Sequence, residues 1–358
     1  MKKIVLTGGG TAGHVTPNIA LLPALQAAGY EIAYVGSYEG IEKKLIADFN
    51  IPYTGISTGK FRRYLDPKNF SDPFRVMKGF VEARNYLKNY QPDVVFSKGG
   101  FVSVPVVRAA ASLHIPCIIH ESDMTPGLAN KLCIPVAEKV CCNFPETMKN
   151  IPEDKAVLTG SPIRAELAEG SKLAGLNMCG FTANKPVIMV IGGSLGAANV
   201  NKAVRDALPK LLEDFQVVHL CGKDKIDNLL LNTPGYKQFE YIKAELKDIF
   251  AMADIVISRA GANAICELLA LKKPNILIPL PAASSRGDQL LNAASFEAQG
   301  YSIVLNEDDI TTNLLVDKVH ELYFNRQNYV DAMSKSHQMD AVKTIMELIN
   351  AAADKKTN

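Results

Sequence analysis

The chain has 358 residues, which is enough for two domains that each bury a core. Hydrophobic residues make up 47% of it and charged residues 21%, a composition that excludes a disordered protein. A net charge of +2 argues against general nucleic-acid binding. The N-terminus passes from Lys2 and Lys3 directly into an apolar strand pattern, so we expect no signal peptide. No apolar run reaches the roughly 18 residues of a membrane span.

Apolar strand patterns alternate with helical patterns along the chain, which predicts βαβ units and parallel sheets. The pattern predicts two Rossmann-like α/β domains facing across a cleft, over residues 1–160 and 161–337. A helix at about 338–353 has an apolar stripe and is expected to pack back on the first domain. The predicted strands cover residues 3–7, 32–36, 53–56, 93–97, 116–120, 139–143, 156–158, 187–191, 216–221, 239–242, 255–258, 275–279 and 302–305.

The seven cysteines include no C-x-x-C pair and are an odd number. We expect them to be buried free thiols in a reducing compartment. Cys141 and Cys142 are adjacent in a strand pattern, so their side chains are expected on opposite faces of the sheet.

Two glycine-rich loops follow strand patterns and precede helical ones. The first contains Gly8, Gly10 and Gly13, and the second contains Gly192, Gly193 and Gly196. Backbone amides at a helix N-terminus bind anions, so paired loops favour a nucleotide-sugar glycosyltransferase. The first loop matches G-x-G-x-x-G, but an NAD-dependent oxidoreductase needs an acid at the end of the second strand. Glu39 comes too late for that role, in a predicted loop.

His14 directly follows the last glycine of the first loop, in the predicted first turn of the helix. It is either a locally bonded histidine or a general base over the cleft. A helix N-terminus would lower the pKa of its imidazole, which suits a base.

Further polar and glycine-rich segments follow other strands, at the edge where open α/β sheets bind ligands. Gly99, Gly100 and Phe101 form either a ligand-binding turn or a plain tight turn. Glu121, Asp123 and Asn130 follow the next strand and either line the same cleft or cap a helix.

The second half has two comparable segments. Residues 258–267 predict a small-residue turn and a helix carrying Glu267, whose carboxylate either binds ribose hydroxyls or is a solvated charge. Asp288 and Gln289 combine an acceptor with an amide, which suits sugar hydroxyls. No D-x-D triplet is present, so we expect no metal and no other cofactor; helix N-termini and Arg164 would then meet a diphosphate.

Residues 60–88 interleave aromatic and basic side chains, with eight basic residues against three acidic ones. This segment is either an amphipathic helix with a solvated basic face or a surface that docks on an anionic membrane. The residues predicted to contact the membrane are Arg62, Arg63, Phe74, Arg75 and Lys78.

The joint order of these motifs resembles the MurG family, peripheral membrane transferases that add N-acetylglucosamine (GlcNAc) to lipid I in peptidoglycan synthesis. The resemblance covers nearly the whole chain and lies in T-G-G-G-T-x-G-H, S-K-G-G-[YF]-V-S, H-E-x-[ND], G-[NS]-P-[IV]-R, G-G-S-x-G-A, S-R-x-G-A and D/Q-Q-x-x-N-A. It implies a two-Rossmann GT-B fold and metal-independent, inverting transfer from UDP-GlcNAc. It also implies a peripheral place on the cytoplasmic face of the cell membrane and other cell-wall synthesis proteins as further partners.

The resemblance also assigns roles to residues of this chain. It places His14 on the GlcNAc and acceptor side with Glu121 nearby, and we take His14 as the best candidate for the catalytic base and Glu121 as the second. Gly99, Gly100, Phe101 and Asn130 are implied on the acceptor side. The residues implied to bind UDP-GlcNAc are Thr11, Ala12, Gly13, Asp123, Arg164, Ser194, Leu195, Gly196, Ile242, Ala262, Asn263, Ala264, Glu267, Asp288 and Gln289.

Several relatives of this family differ at positions that bear on those roles. Many carry Gln at 288, Asn at 123, Gly at 12 and Tyr at 101 where this chain has Asp288, Asp123, Ala12 and Phe101. The remaining alternatives are a UDP-GlcNAc 2-epimerase, a glycolipid synthase that uses UDP-glucose on diacylglycerol, and a non-catalytic UDP-GlcNAc sensor.

Overall fold

The computed structural model describes residues 1–59, 68–193, 196–282, 287–336 and 340–357. The chain divides into two compact units. Unit 1 comprises residues 1–164 together with 340–358, and unit 2 comprises residues 165–339. Arg164 is therefore the last residue of the first segment of unit 1.

Unit 1 is built on a sheet of seven parallel strands. The strands are β1 (Lys3–Thr7), β2 (Glu31–Ser37), β3 (Tyr53–Ile56), β4 (Val94–Ser97), β5 (Cys117–Glu121), β6 (Lys139–Cys142) and β7 (Ala156–Leu158). Their order across the sheet is β3-β2-β1-β4-β5-β6-β7. The register pairs Leu6 of β1 with Tyr34 of β2 and with Phe96 of β4. All three side chains are fully buried, as is usual for a parallel sheet covered on both faces.

Helices connect the strands of unit 1 and cover both faces of its sheet. They are α1 (Thr16–Ala27), α2 (Ile41–Ile46), α3 (Lys68–Tyr90), α4 (Ser103–Ser112), α5 (Leu128–Cys133) and α6 (Pro145–Met148). One apolar cluster joins the sheet to α3 and α4 through Leu87 and Val106. The other joins the sheet to α1 through Leu21 and Leu25.

Unit 2 has a second sheet of parallel strands with the same kind of helical connections. Its strands are β8 (Val187–Ile191), β9 (Gln216–Leu220), β10 (Tyr236–Phe239), β11 (Ile255–Ser258), β12 (Asn275–Leu277) and β13 (Ser302–Val304), in the order β10-β9-β8-β11-β12-β13. Its helices are α7 (Lys172–Cys179), α8 (Ala198–Asp214), α9 (Leu246–Met252), α10 (Ala262–Ala270), α11 (Asp288–Ala298), α12 (Thr312–Phe324) and α13 (Arg326–Ser334).

The last helix, α14 (Ala341–Thr357), belongs to unit 1 although it follows unit 2 in sequence. Ile345, Ile349 and Ala353 are buried in the same cluster as Leu21 and Leu25 of α1. Two polar contacts also attach α14 to the rest of unit 1. Tyr30 Oη donates to Asn350 Oδ1 at 2.7 Å, and Lys2 forms an ion pair with Asp354 at 2.6 Å.

The predicted fold class of two parallel-sheet Rossmann-like domains is confirmed, but one strand was misplaced. The sequence predicted a strand at 239–242, whereas β10 covers Tyr236–Phe239. This is an edge strand, so Tyr236 and Gln238 face inward and Lys237 faces solvent. Its alternation of polar and apolar side chains gave no apolar run by which to recognise the strand. The apolar Ile242, on which the predicted range rested, is buried in the segment that follows β10.

The seven cysteines are free and buried, as predicted. Cys142 lies in the cluster beneath α3 and α4, whereas Cys141 lies in the cluster beneath α1, so the two face opposite sides of β6. Burial raises the pKa of each of these two thiols to about 12, which keeps them unreactive thiols.

Within the described residues, no helix is long and apolar enough to cross a bilayer.

Candidate active site

Each sheet has a topological switch point, which lies between two adjacent central strands. The connections that follow these two strands lead to opposite sides of the sheet. In unit 1 the switch lies between β1 and β4, and in unit 2 between β8 and β11. Loops that follow these strands flank a crevice at the carboxyl edge, the usual ligand site of open α/β sheets. The predicted site residues of each unit cluster in and around these loops.

His14 lies in a short 3₁₀ turn, Ala12–His14, that precedes α1. The prediction that it sits in the first turn of the helix was wrong, because α1 begins at Thr16 with Pro17 near its start. Proline fits the first helical positions, where the backbone N–H has no helical acceptor. His14 is half-buried.

Two contacts at Nδ1 indicate the tautomer of His14. Its Nδ1 lies 3.1 Å from the carbonyl oxygen of Gly9 and 3.2 Å from Thr11 Oγ1. A carbonyl can only accept, so Nδ1 carries the proton in this arrangement and Nε2 has the lone pair. This is the tautomer that a base at Nε2 requires.

Glu42, which sequence reasoning missed, is hydrogen-bonded to the backbone of the first glycine loop. Its side chain is fully buried, and its carboxylate accepts from Gly10 N at 3.2 Å and from Ser37 N at 2.9 Å. Ser37 Oγ also donates to it. The Gly10 amide is thus engaged by a negative charge within the protein, which disfavours a phosphate at that amide.

The turn after β4 packs directly on the first loop. The ring of Phe101 covers Gly10 so closely that a Cβ there would lie 2.6 Å from Phe101 Cε1. A Cβ on Gly100 would overlap the carbonyl oxygen of Gly9. The side-chain amide of Asn130 lies beside Gly99 on the other side of this turn. The structure therefore brings Gly100 and Phe101 against the loop that carries His14, with Gly99 and Asn130 on the far side of the turn.

Glu121 is buried and organises the segment between β5 and α5. Its carboxylate accepts from Asp123 N at 2.9 Å, from Gly127 N at 3.0 Å and from Asn130 Nδ2 at 2.8 Å. Asn130 Nδ2 also lies 3.1 Å from the carbonyl oxygen of His120. Both carboxylate oxygens of Glu121 are therefore engaged in shaping this segment.

A second feature missed from sequence is the buried Lys98–His120 pair. Lys98 Nζ lies 2.9 Å from His120 Nδ1 and also donates to Ser122 Oγ. His120 Nε2 lies 2.9 Å from the carbonyl oxygen of Gly160, so Nε2 carries the proton and Nδ1 accepts from the lysine. Burial, together with the charge of Lys98, holds the pKa of His120 well below its usual range. The pair ties β4 to β5 and to the segment after β7.

In unit 2 the second glycine loop leads into α8, which has no side-chain cap at Ala197. Gly196 has φ +67° and packs against the end of β9, where a Cβ would overlap the carbonyl oxygen of Cys221. Its neighbours Ser194 and Leu195, both predicted to meet a diphosphate, lie outside the described residues. The N-terminus of this 17-residue helix is suited to an anion.

The other predicted donor residues surround the second switch point or follow neighbouring strands. Ala262, Asn263 and Ala264 form the first turn of α10, and half-buried Glu267 lies further along that helix. Asp288 begins α11, and Gln289 Oε1 accepts from Leu280 N at 3.1 Å. Ile242 is buried after β10, and Arg164 is half-buried at its place in unit 1.

Behind each glycine loop, a buried asparagine ties the following helix to the neighbouring strand. Asn18 of α1 donates to Thr7 O at 3.1 Å and to Tyr34 Oη at 3.3 Å. Asn201 of α8 donates to Cys221 O at 2.9 Å, and its Oδ1 lies 3.0 Å from His219 Nε2. Tyr34 pairs with the penultimate residue of β1 and His219 with that of β8, so the two rings occupy equivalent positions.

Comparisons with known proteins agree with this architecture. A model of the glycosyltransferase family 28 N-terminal domain matches residues 4–142, and a model of the family's C-terminal domain matches residues 187–349. A UDP-N-acetylglucosamine--N-acetylmuramyl-(pentapeptide) pyrophosphoryl-undecaprenol N-acetylglucosamine transferase of Lachnospira eligens is 66% identical. That alignment covers 98% of this chain and 99% of the relative.

Solved structures give the same result at the level of the fold. The crystal structure of MurG from Acinetobacter baumannii has a TM-score of 0.78 and 28% identity, covering 98% of this chain and 100% of that one. UDP-GlcNAc 2-epimerase from Neisseria meningitidis, solved with UDP-GlcNAc bound, has a TM-score of 0.68 at 15% identity, with 97% and 99% covered. The second likeness concerns the fold alone.

The two parallel-sheet units, with loops at both switch points, define a glycosyltransferase of the GT-B fold. The chain belongs to glycosyltransferase family 28 and, within it, to the family of the MurG N-acetylglucosamine transferases.

Proposed function

We propose that this chain transfers GlcNAc from UDP-GlcNAc to the C4 hydroxyl of the N-acetylmuramyl residue of lipid I, forming lipid II for peptidoglycan synthesis. The observation that carries the proposal is the geometry of His14, whose Nδ1 is bonded to the Gly9 carbonyl so that Nε2 has the lone pair. The 66% identity to a transferase named for this reaction supports the choice of substrates.

The reaction that we propose is a single displacement. The acceptor oxygen attacks C1 of GlcNAc from the face opposite UDP, the bond from C1 to the diphosphate breaks, and the α linkage becomes β. The hydroxyl proton passes to His14 Nε2, and UDP leaves with the electron pair of the broken bond. The helix N-terminus of α8 stabilises the charge that develops on the diphosphate, so no metal is required.

The donor contacts that we propose combine both the described residues and those outside them. Gly196 with Ser194 and Leu195 meets the diphosphate, assisted by Arg164, while Glu267 binds ribose and the backbone near Ile242 binds uracil. The remaining donor contacts are Thr11, Ala12, Gly13, Asp123, Ala262, Asn263, Ala264, Asp288 and Gln289, and the acceptor contacts are Gly99, Gly100, Phe101 and Asn130.

The decisive experiment measures UDP release from UDP-GlcNAc in EDTA, with and without a lipid I analogue. We expect release that depends on the acceptor and yields a β-linked disaccharide lipid. His14→Gln is expected to lower kcat by about 10²–10⁴-fold, the usual contribution of a general base. Release without an acceptor would instead indicate an epimerase or a hydrolase, and UDP-GlcNAc binding without release would indicate a sensor.

We also propose that α3 docks the protein on an anionic membrane, as a peripheral protein of the cytoplasmic face. Phe74, Met77 and Val81 are exposed, at spacings of three and four residues that place them on one face of the helix. Arg75 and Lys78 are exposed beside them, and Lys78 also lies 3.7 Å from Glu82. The predicted membrane residues Arg62 and Arg63 lie outside the described residues.

Liposome co-sedimentation tests this docking surface. Arg75→Glu combined with Lys78→Glu is expected to abolish binding to anionic vesicles, because each basic residue near the lipid contributes about 1 kcal/mol. Lys210→Glu, on an exposed face of α8 in unit 2, is the matched control and should bind normally. Normal binding by the double variant would exclude these two side chains as the anchor.

A further inference from the structure

We propose that Glu42 is a positioning residue for the transfer reaction, which sets the tautomer of His14 through one peptide group of the first glycine loop. The proposal rests on the proposed function in one respect, because that function makes His14 the base. It adds a residue that touches neither substrate and acts only through His14.

Three glycines make room for the side chain of Glu42. A Cβ on Gly9 would lie 2.5 Å from the carboxyl carbon, and a Cβ on Gly36 would lie 2.8 Å from Glu42 Cγ. A Cβ on Gly40 would overlap the carboxylate itself. Gly9 lies in the first glycine loop, Gly36 in β2 and Gly40 in the turn after β2, and each leaves the room that a buried carboxylate needs.

The bonds of this carboxylate replace the solvation that it loses. A buried charge is stable only where donors surround it, and here two backbone amides and one hydroxyl donate. The amides belong to Gly10 in the first loop and to Ser37 at the end of β2. Glu42 thereby fixes the first loop against the neighbouring strand.

The path from Glu42 to His14 is a single rigid group. The N–H of Gly10 and the C=O of Gly9 belong to the same trans peptide, so they point in opposite directions. Glu42 accepts from the N–H at 3.2 Å, and the carbonyl accepts from His14 Nδ1 at 3.1 Å on the other side. A hydrogen bond at one end of a peptide group also strengthens the bond at its other end.

Without the carboxylate, this peptide loses the acceptor that fixes its N–H, and the two glycines that form it have the backbone freedom to let it rotate. A rotated peptide would present the N–H of Gly10 to His14 Nδ1, and Nδ1 would then have to accept. The proton would move to Nε2, and the ring would have no lone pair facing the acceptor hydroxyl. Glu42 therefore selects the reactive tautomer.

Glu42→Gln tests the proposal, since it keeps the size of the side chain but replaces one acceptor oxygen by a donor. We expect kcat to fall about tenfold or more, within the range of base catalysis, with KM for UDP-GlcNAc unchanged. Asp93→Asn is the matched control, because Asp93 Oδ2 accepts from Lys3 N at 2.7 Å at the opposite edge of the same sheet. Its kcat should stay within about twofold of the wild type.

A double-mutant cycle separates positioning from general loss of structure. In the His14→Gln background, Glu42→Gln should cause no further fall in kcat, because the group through which it acts is already gone. Multiplicative losses would overturn the proposal. If Glu42→Gln does not fold, Ser37→Ala removes one donor to the carboxylate and should give a smaller loss with the same dependence on His14.

The tautomer itself can be observed without substrate. In ¹⁵N-histidine-labelled protein, the chemical shifts of the two ring nitrogens distinguish the Nδ1–H form from the Nε2–H form, and His14→Gln identifies the signal. We expect the Nδ1–H form in the wild type and a mixture in Glu42→Gln. An unchanged tautomer overturns the proposal, whereas full activity of His14→Gln would overturn only the role of His14 as base.

Discussion

The two glycine loops follow the same kind of strand and precede the same kind of helix, yet their amides have different neighbours. In the first loop, the Gly10 amide donates to the buried carboxylate of Glu42. In the described part of the second loop, residues 192–193 and 196–197, no carboxylate accepts from the backbone. A glycine pattern therefore defines the path of the backbone, while the groups around it decide which acceptors the backbone amides meet.

The comparison extends to the support behind each loop. Both loops are backed by an asparagine bonded to a ring on the neighbouring strand, but the ring is Tyr34 in unit 1 and His219 in unit 2. Burial raises the pKa of Tyr34, so it stays neutral at every physiological pH. Burial, with a smaller effect from Arg205, lowers the pKa of His219 to about 3.

The largest expected effect concerns the fit of the second loop against β9. Gly196→Ala should lower kcat/KM by about 10²-fold, since displacement of a binding loop by about 1 Å has costs of that size. Gly193→Ala is the matched control, because Gly193 also has positive φ, at +83°, but no described atom lies within 4 Å of a Cβ added there. Steady-state kinetics with UDP-GlcNAc compare the two. Equal losses would show that backbone conformation alone, and not contact with Cys221, matters here.

The next prediction concerns the effect of a negative charge at the second loop on the binding of UDP-GlcNAc. Ala198→Asp places a carboxylate at the start of α8, as Glu42 does beneath the first loop, and should raise KM for UDP-GlcNAc about tenfold by repelling the diphosphate. The same aspartate should leave the protein as stable as before or slightly more so, because acids stabilise helix N-termini by roughly 0.3–1 kcal/mol. Ala198→Asn is the uncharged control. An unchanged KM in the aspartate variant would show that the diphosphate does not bind at this loop.

The smallest expected effect is a pH dependence of stability that His219 causes in unit 2 and that Tyr34 does not cause in unit 1. Below pH 6.5 the unfolded chain protonates His219, while the folded chain keeps it neutral down to a pKa of about 3. The unfolded state then binds more protons, so stability falls with falling pH, by about 1 kcal/mol between pH 6.5 and 5.5. Hydrogen exchange in β9 peptides measures this loss, and His219→Gln should remove it. An equal loss in the variant would assign the pH dependence to other groups.

Much of the fold was predictable because strand periodicity is a local signal. The bounds of β1, β3, β7, β8 and β11 match the predicted ranges, and β1, β8 and β11 are short and mainly apolar runs. β10 was misplaced because an edge strand alternates polar and apolar side chains.

The site was predictable as a set of loops, but not as a set of contacts. His14 could be singled out from its place after the glycines, whereas the 3₁₀ turn that holds it, before the start of α1 at Thr16, was not predicted. Glu42 could not be found in this way, because it lies far along the chain from Gly10 and its environment forms only on folding. The signal that the sequence did contain was the set of glycines around it, at positions 9, 36 and 40.

The position of α14 has a consequence for synthesis of the protein. Ile345, Ile349 and Ala353 fill part of the apolar cluster of unit 1, yet they are translated after the whole of unit 2. On the ribosome, the first 164 residues therefore emerge with the binding surface for this helix still uncovered. Unit 1 can therefore complete its core only after the whole of unit 2 has been synthesised, although its first strand is the first to leave the ribosome.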